Sequence, residues 1–96
     1  MAEEAVIKRL NKAKNVAMQS LKDNQDKRHR IVPSDNSEFC FLAVRKKEIR
    51  MIRVVVDEIT ADDIKIVESF DPPGICTKEI WCRMEGRKDF EKREIE

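Results

Sequence analysis

Basic side chains gather in one short polar stretch of the sequence. They are Lys22, Lys27, Arg28, His29 and Arg30. Lysine and arginine neutralise nucleic-acid phosphates and release the counterions condensed on them. Asp23 and Asp26 dilute the stretch, so a solvated loop is the alternative interpretation. We interpret His29 as a surface histidine, because no partner carboxylate or nucleophile is specified for it.

A second group combines an indole ring with cations. Trp81 is followed by Arg83, Arg87 and Lys88. An exposed aromatic ring beside cations could stack bases, as in proteins that bind single strands. A lone tryptophan in a strand is more often a core anchor or an interface contact, so Trp81 is also a candidate for a dimer interface.

The cysteines do not predict a metal site. Cys40, Cys76 and Cys82 are odd in number, which favours reduced thiols over a disulfide framework. Zinc sites usually use paired CxxC or CxxH spacings, whereas five residues separate Cys76 from Cys82. Reduced thiols indicate the cytoplasm.

Size and charge limit the class of protein. The 96 residues fit one domain, residues 1–96. Twenty basic against nineteen acidic residues leave a formal charge of +1, so a phosphate site must come from local clustering. No apolar run approaches the roughly 18–20 residues that span a bilayer, and the N-terminus is charged where a secretory signal is apolar. We therefore expect no membrane partner.

Apolar spacing predicts the first elements. Val6, Leu10, Ala13, Ala17 and Leu21 form the stripe of an amphipathic helix over residues 2–22. The sequence then predicts a short strand at residues 28–32 and a strand buried on both faces at residues 39–44. A basic turn follows at residues 45–47.

The second half continues the alternation of strands and helices. Residues 49–59 alternate as a strand, and Thr60 with Asp63 resembles a capping box that opens a short helix. Strands at residues 78–84 and 90–95, joined by a turn containing glycine, form a hairpin. The predicted fold is of the α/β (α+β) class: an N-terminal amphipathic helix on a mixed sheet of four to five strands, with a second short helix and a C-terminal hairpin.

Two segments carry a family resemblance: Phe-Leu-Ala-Val-Arg at residues 41–45 and Ile-Arg-Met-Ile-Arg-Val-Val at residues 49–55. With the order of elements over residues 2–84, they resemble the core of the PD-(D/E)xK, or restriction-endonuclease-like, nuclease superfamily. The resemblance implies a first helix packed on a mixed sheet. It also implies an Asp at the start of the second core strand and an ExK triplet in the third, which together hold a divalent metal for phosphodiester cleavage.

The motif residues of that superfamily are not retained. Cys40 stands at the Asp position, Arg53 at the Glu position and Val55 at the Lys position. Mg²⁺ requires hard oxygen ligands, and an arginine would repel it. In a shifted register, relocated carboxylates could supply the Mg²⁺ ligands instead. They are Asp35, Glu38, Asp57 and Glu58.

Arg53 is the motif position with two competing interpretations. It lies between Met51 and Val55 on one strand face, where a charge needs a partner. It could form a salt bridge with a neighbouring Glu or lie on an exposed sheet edge, or it could bind a ligand or phosphate.

The leading hypothesis is a non-catalytic, nuclease-like domain without a cofactor that acts as a nucleic-acid-binding or scaffold module. Its partners would be DNA, RNA or a second copy of itself. The candidate contacts to nucleic acid are Lys22, Lys27, Arg28, Arg30, Arg53, Arg87 and Lys88. One alternative is a Mg²⁺-dependent nuclease, and another is a structural homo-oligomer with no nucleic-acid role.

Overall fold

A computed structural model describes residues 2–23, 28–34, 38–71, 74, 76–84, 86–87 and 89–95. Its elements are α1 (Ala2–Asp23), β1 (Arg30–Pro33), β2 (Phe41–Arg45), β3 (Glu48–Val56), α2 (Ala61–Ser69), β4 (Cys76–Arg83) and β5 (Phe90–Ile95). This order confirms the predicted α+β class with two helices and a C-terminal hairpin. Neither described helix combines the length and the apolar content that a membrane crossing requires.

The five strands form one mixed sheet in the order β1-β2-β3-β4-β5. β3 and β4 are parallel, and the other neighbouring pairs are antiparallel. A hairpin cannot join parallel strands, so the chain crosses between β3 and β4 through α2. Val56 is paired with Arg83, and both strands therefore end at the same edge of the sheet.

The helices cover opposite faces of the sheet. The stripe of α1 packs on one face, where Ala13 and Ala17 are fully buried against Ile52 and Val54. The other face carries Met51 and a cluster of partly or fully buried side chains under α2. The alternation of β3 predicted from the sequence is thus confirmed, because its odd and even residues belong to different clusters.

The short helix α2 begins at the predicted capping box. The Thr60 hydroxyl accepts a hydrogen bond from the Asp63 backbone N–H at 3.1 Å, and the Asp63 carboxylate accepts one from the Thr60 N–H at 3.0 Å. β3 ends earlier than predicted, at Val56 instead of residue 59. The reason is Asp57, whose φ of 73° cannot continue a strand.

Trp81 belongs to the core, so it is not available for the interface role that the sequence suggested. It is 1% exposed and lies in the cluster beneath α1, with its ring centroid 5.5 Å from that of Phe90. Its indole N–H donates to Glu79 Oε1 at 3.1 Å. An indole buried and hydrogen-bonded in this way offers no surface for a base or a second chain.

An ion pair that the sequence did not predict joins the two parallel strands. Arg50 on β3 donates twice to Glu79 on β4, at 2.5 and 2.7 Å, and both side chains are largely buried. Burial by itself would raise the pKa of Glu79, but the hydrogen bonds from Arg50 and Trp81 outweigh it and hold the pKa below its ordinary value.

We predict that this pair makes stability depend on pH. A carboxyl whose pKa is lowered by folding contributes stability above its unfolded pKa of about 4.3, and loses it as pH falls through the folded pKa. Glu79→Gln should lower the free energy of unfolding at pH 7 by about 1–3 kcal/mol. The difference from the wild type should shrink below about pH 4, as measured by urea unfolding at several pH values.

Glu68→Gln is the matched control, because Glu68 is exposed on α2. It should leave the unfolding curve within about 0.5 kcal/mol of the wild type at each pH. An equal loss in the two variants would remove the special role of the Arg50–Glu79 pair.

Candidate functional site

A cleft of about 320 Å³ lies where β3 and β4 end. It is lined by Arg9, Lys12, Val56, Arg83, Met84, Gly86 and Arg87. Four of these residues are basic, and none of the described lining residues is acidic. In open α/β sheets, ligands bind outside the carboxyl ends of the strands, which is the position of this cleft.

Three elements bring the basic residues together. Arg9 and Lys12 lie three residues apart on α1, hence on one side of the helix. Arg83 is the last residue of β4, and its Nε donates to the Arg87 carbonyl at 3.2 Å. The following turn is closed by the Arg87 N–H, which donates to the Met84 carbonyl at 3.1 Å. Gly86 has a φ of 80° there, a conformation that favours glycine.

Asp57 holds Arg9 at the margin of the cleft. Both Asp57 carboxylate oxygens accept hydrogen bonds from the Arg9 guanidinium, one of them at 3.2 Å, and these bonds lower the pKa of Asp57. Its backbone N–H donates to the Arg83 carbonyl at 3.0 Å. Among the described residues other than glycine, Asp57 alone has a positive φ, and such strained residues cluster at functional sites.

Most other predicted contacts to nucleic acid lie elsewhere. Lys22 and Arg28 are exposed near the far end of α1, about 20 Å along the helix from Arg9. Arg30 is exposed on β1, an edge strand. Lys27 and Lys88 lie outside the described residues. Of the candidates that the structure describes, only Arg87 lines the cleft.

The sequence interpretation of His29 as a surface residue is wrong. Its side chain is 2% exposed, and its Nε2 lies 3.3 Å from Glu48 Oε2. The backbone N–H of His29 donates to the Leu21 carbonyl at the end of α1. This contact holds His29 against the C-terminal end of α1.

The residues at the three positions of the nuclease motif make contacts within the fold. The Cys40 sulfur accepts a hydrogen bond from the Val54 N–H at 3.3 Å. Arg53 forms a salt bridge with Asp63 at 3.1 Å and donates to the Glu38 carbonyl at 2.6 Å. Val55 packs in the cluster beneath α2. Arg53 therefore has the salt bridge considered from the sequence, although its partner is an Asp on α2 and not a Glu.

Among the described residues, the relocated carboxylates do not form a metal centre. Glu38, Asp57 and Glu58 are exposed, and Asp57 is engaged with Arg9. Asp35 lies outside the described residues. Within the described part of the chain, no three His, Cys, Asp or Glu side chains gather closely enough to hold a metal ion.

Sequence reasoning missed the contribution of α1 to the cleft. Neither Arg9 nor Lys12 was singled out from the sequence. A signal was present, because Arg9 immediately precedes Leu10 of the apolar stripe and so lies at the boundary of the buried face. Its meaning depends on where the helix crosses the sheet, which periodicity does not specify.

Comparison of the chain with protein-family models, with curated proteins and with solved structures found no match. The geometry of the described residues is therefore the basis for a functional assignment.

We predict that Arg53 stabilises the fold and does not bind a ligand. Arg53→Met removes the donors to Asp63 and to the Glu38 carbonyl, so the free energy of unfolding should fall by about 1–3 kcal/mol. Affinity for oligonucleotides should not change. Urea unfolding and fluorescence anisotropy measure the two effects.

Arg93→Met provides the control, since Arg53, Ile80 and Arg93 lie side by side on three neighbouring strands. Arg93 is half exposed and 3.7 Å from Glu91, so its loss should cost less than about 0.5 kcal/mol. Weakened oligonucleotide binding by Arg53→Met with unchanged stability would instead make Arg53 a ligand contact.

Proposed function

We propose that this chain is a non-catalytic, nuclease-like module that binds nucleic acid through the basic cleft at the ends of β3 and β4. The observation that carries the proposal is the convergence of Arg9, Lys12, Arg83 and Arg87 from three elements. Counting Asp57, which pairs with Arg9, these side chains have a net charge of +3, whereas the whole chain has +1.

Charge and geometry both support an anionic polymer as the ligand. Arginine guanidinium groups donate pairs of hydrogen bonds that match phosphate oxygens. A shallow groove along α1, which includes Lys8 and Lys12, adjoins the cleft through Lys12. Cations that continue beyond one phosphate site suit a backbone with several phosphates better than a single small anion.

The lack of catalysis is proposed from the contacts at the motif positions. Arg53 is committed to Asp63, and Cys40 to the backbone of Val54. Helix α1 packed on a mixed sheet supports the nuclease-like assignment, because the resemblance implies that arrangement. The cytoplasm remains our prediction for the compartment, in keeping with three free cysteines.

The two edge strands of the sheet do not favour the homo-oligomer alternative. β1 has four residues and ends at Pro33, which has no N–H to donate. β5 presents Glu91, Lys92, Arg93 and Glu94, all of them exposed. Short, proline-containing and charged edge strands are features that discourage pairing between sheets.

We predict that removing two charges from the cleft weakens binding. The double variant Lys12→Gln/Arg87→Gln should lose about tenfold in affinity for a 15-nucleotide single strand at low salt. The slope of log affinity against log salt should become shallower by about 1.4, because two phosphate contacts are lost. Fluorescence anisotropy over a salt series measures both quantities.

Lys22→Gln/Arg28→Gln removes the same charge at the other end of α1 and serves as the control. Its affinity should stay within about twofold of the wild type. If the two double variants lose affinity equally, binding is a diffuse charge effect, and the cleft is not the site. If the wild type shows no binding at low salt, the proposed function is wrong.

Asp57→Asn separates the binding module from a nuclease with relocated carboxylates. Asparagine tolerates the positive φ, so the turn should persist. Loss of a negative charge beside the cleft should raise affinity about threefold, the scale of one unit charge roughly 6 Å away in water. Neither protein should cleave DNA or RNA with Mg²⁺ or Mn²⁺. Wild-type cleavage that disappears in Asp57→Asn or Glu38→Ala would establish the nuclease alternative.

A further inference from the structure

Large apolar side chains are exposed beside the cleft. Among the described residues, Val6, Ile7 and Met84 are the exposed large hydrophobic residues, with 48%, 56% and 40% of their surface accessible. Met84 lines the cleft, and Val6 lies one helical turn before Arg9. The half-buried Val56 also lines the cleft. Cations and apolar surface therefore occur together at this end of the sheet.

Val6 is exposed because the apolar stripe of α1 extends past the sheet. Further along the stripe, Leu10 is half buried and Ala13 is fully buried. Arg9 contacts Asp57 just after β3 ends, so residues before Arg9 project beyond that edge. In an α-helix, Val6 is offset by about 60° from Arg9, whereas Ile7 is offset by about 160°. Val6 therefore lies toward the cleft side of α1, one turn before the lining residue Arg9, whereas Ile7 points away from the cleft.

We propose that the cleft selects single-stranded nucleic acid, with phosphates on its cations and an unstacked base against Val6 and Met84. This inference rests on the proposed function. A duplex presents phosphates outward and keeps its bases stacked, so apolar side chains at its backbone would gain nothing. A single strand can turn an apolar base face toward them, as it does toward aromatic rings in other single-strand binders. Trp81, which is buried, does not supply this contact.

The test measures affinity for two labelled probes, a 15-nucleotide oligothymidine and a 15-base-pair duplex, by fluorescence anisotropy at low salt. The wild type should prefer the single strand by about fivefold or more. Val6→Ser/Met84→Ser should lose most of this preference, with duplex affinity and salt slope unchanged, because no cation is removed. Met84→Ser alone should lose part of it. Ile7→Ser is the matched control and should keep the full preference.

Each outcome decides between the claims. Equal affinity of the wild type for both probes overturns single-strand selection but leaves nucleic-acid binding intact. A preference that persists in Val6→Ser/Met84→Ser overturns the role of the apolar residues. Absence of binding to either probe overturns the proposed function and this inference with it. Binding to phosphatidylserine vesicles but to neither probe would assign the surface to an anionic membrane instead.

Discussion

The parallel pairing of β3 and β4 is the constraint on which the rest of the molecule depends. It obliges the chain to cross the sheet between the two strands, and α2 is that crossing. It also brings both strand ends to one edge, where the turn at Asp57 lies beside the last residue of β4. The Arg50–Glu79 pair bridges the same two strands within their first halves. Cleft, crossover and buried ion pair are therefore consequences of one pairing.

Charge is distributed unevenly over a nearly neutral chain. Three acidic side chains are paired with arginines: Asp57 with Arg9, Asp63 with Arg53, and Glu79 with Arg50. Once these carboxylates are engaged, the basic side chains around the cleft dominate the local potential. A formal charge close to zero thus conceals a strongly cationic site, because net charge reports a sum and not an arrangement.

The sequence predicted elements well where one physical rule governs them. Helix α1, the alternation in β3 and the Thr60 capping box each depend on local periodicity or capping, and each is confirmed. Predictions failed where tertiary contacts decide. His29 was interpreted as a surface residue, but it is buried and its backbone is bonded to the end of α1. Trp81 was a candidate for an exposed contact, but it is buried in the cluster beneath α1 beside Phe90. Of the four cations of the cleft, only Arg87 was among the predicted contacts to nucleic acid, because Arg9 and Lys12 come from a helix distant in the sequence.

Asp63 has two structural roles, and they limit which substitutions this part of the fold could accept. One carboxylate caps the start of α2 and also pairs with Arg53, the position that the nuclease resemblance assigns to a metal-binding Glu. An acidic residue at 53 would face Asp63 directly, and two adjacent carboxylates resist joint ionisation without a cation between them. An ion bound there would compete with Thr60 for the same oxygens. A metal-binding carboxylate pair at this place would therefore require a new way to begin the helix, and not only substitutions in a strand.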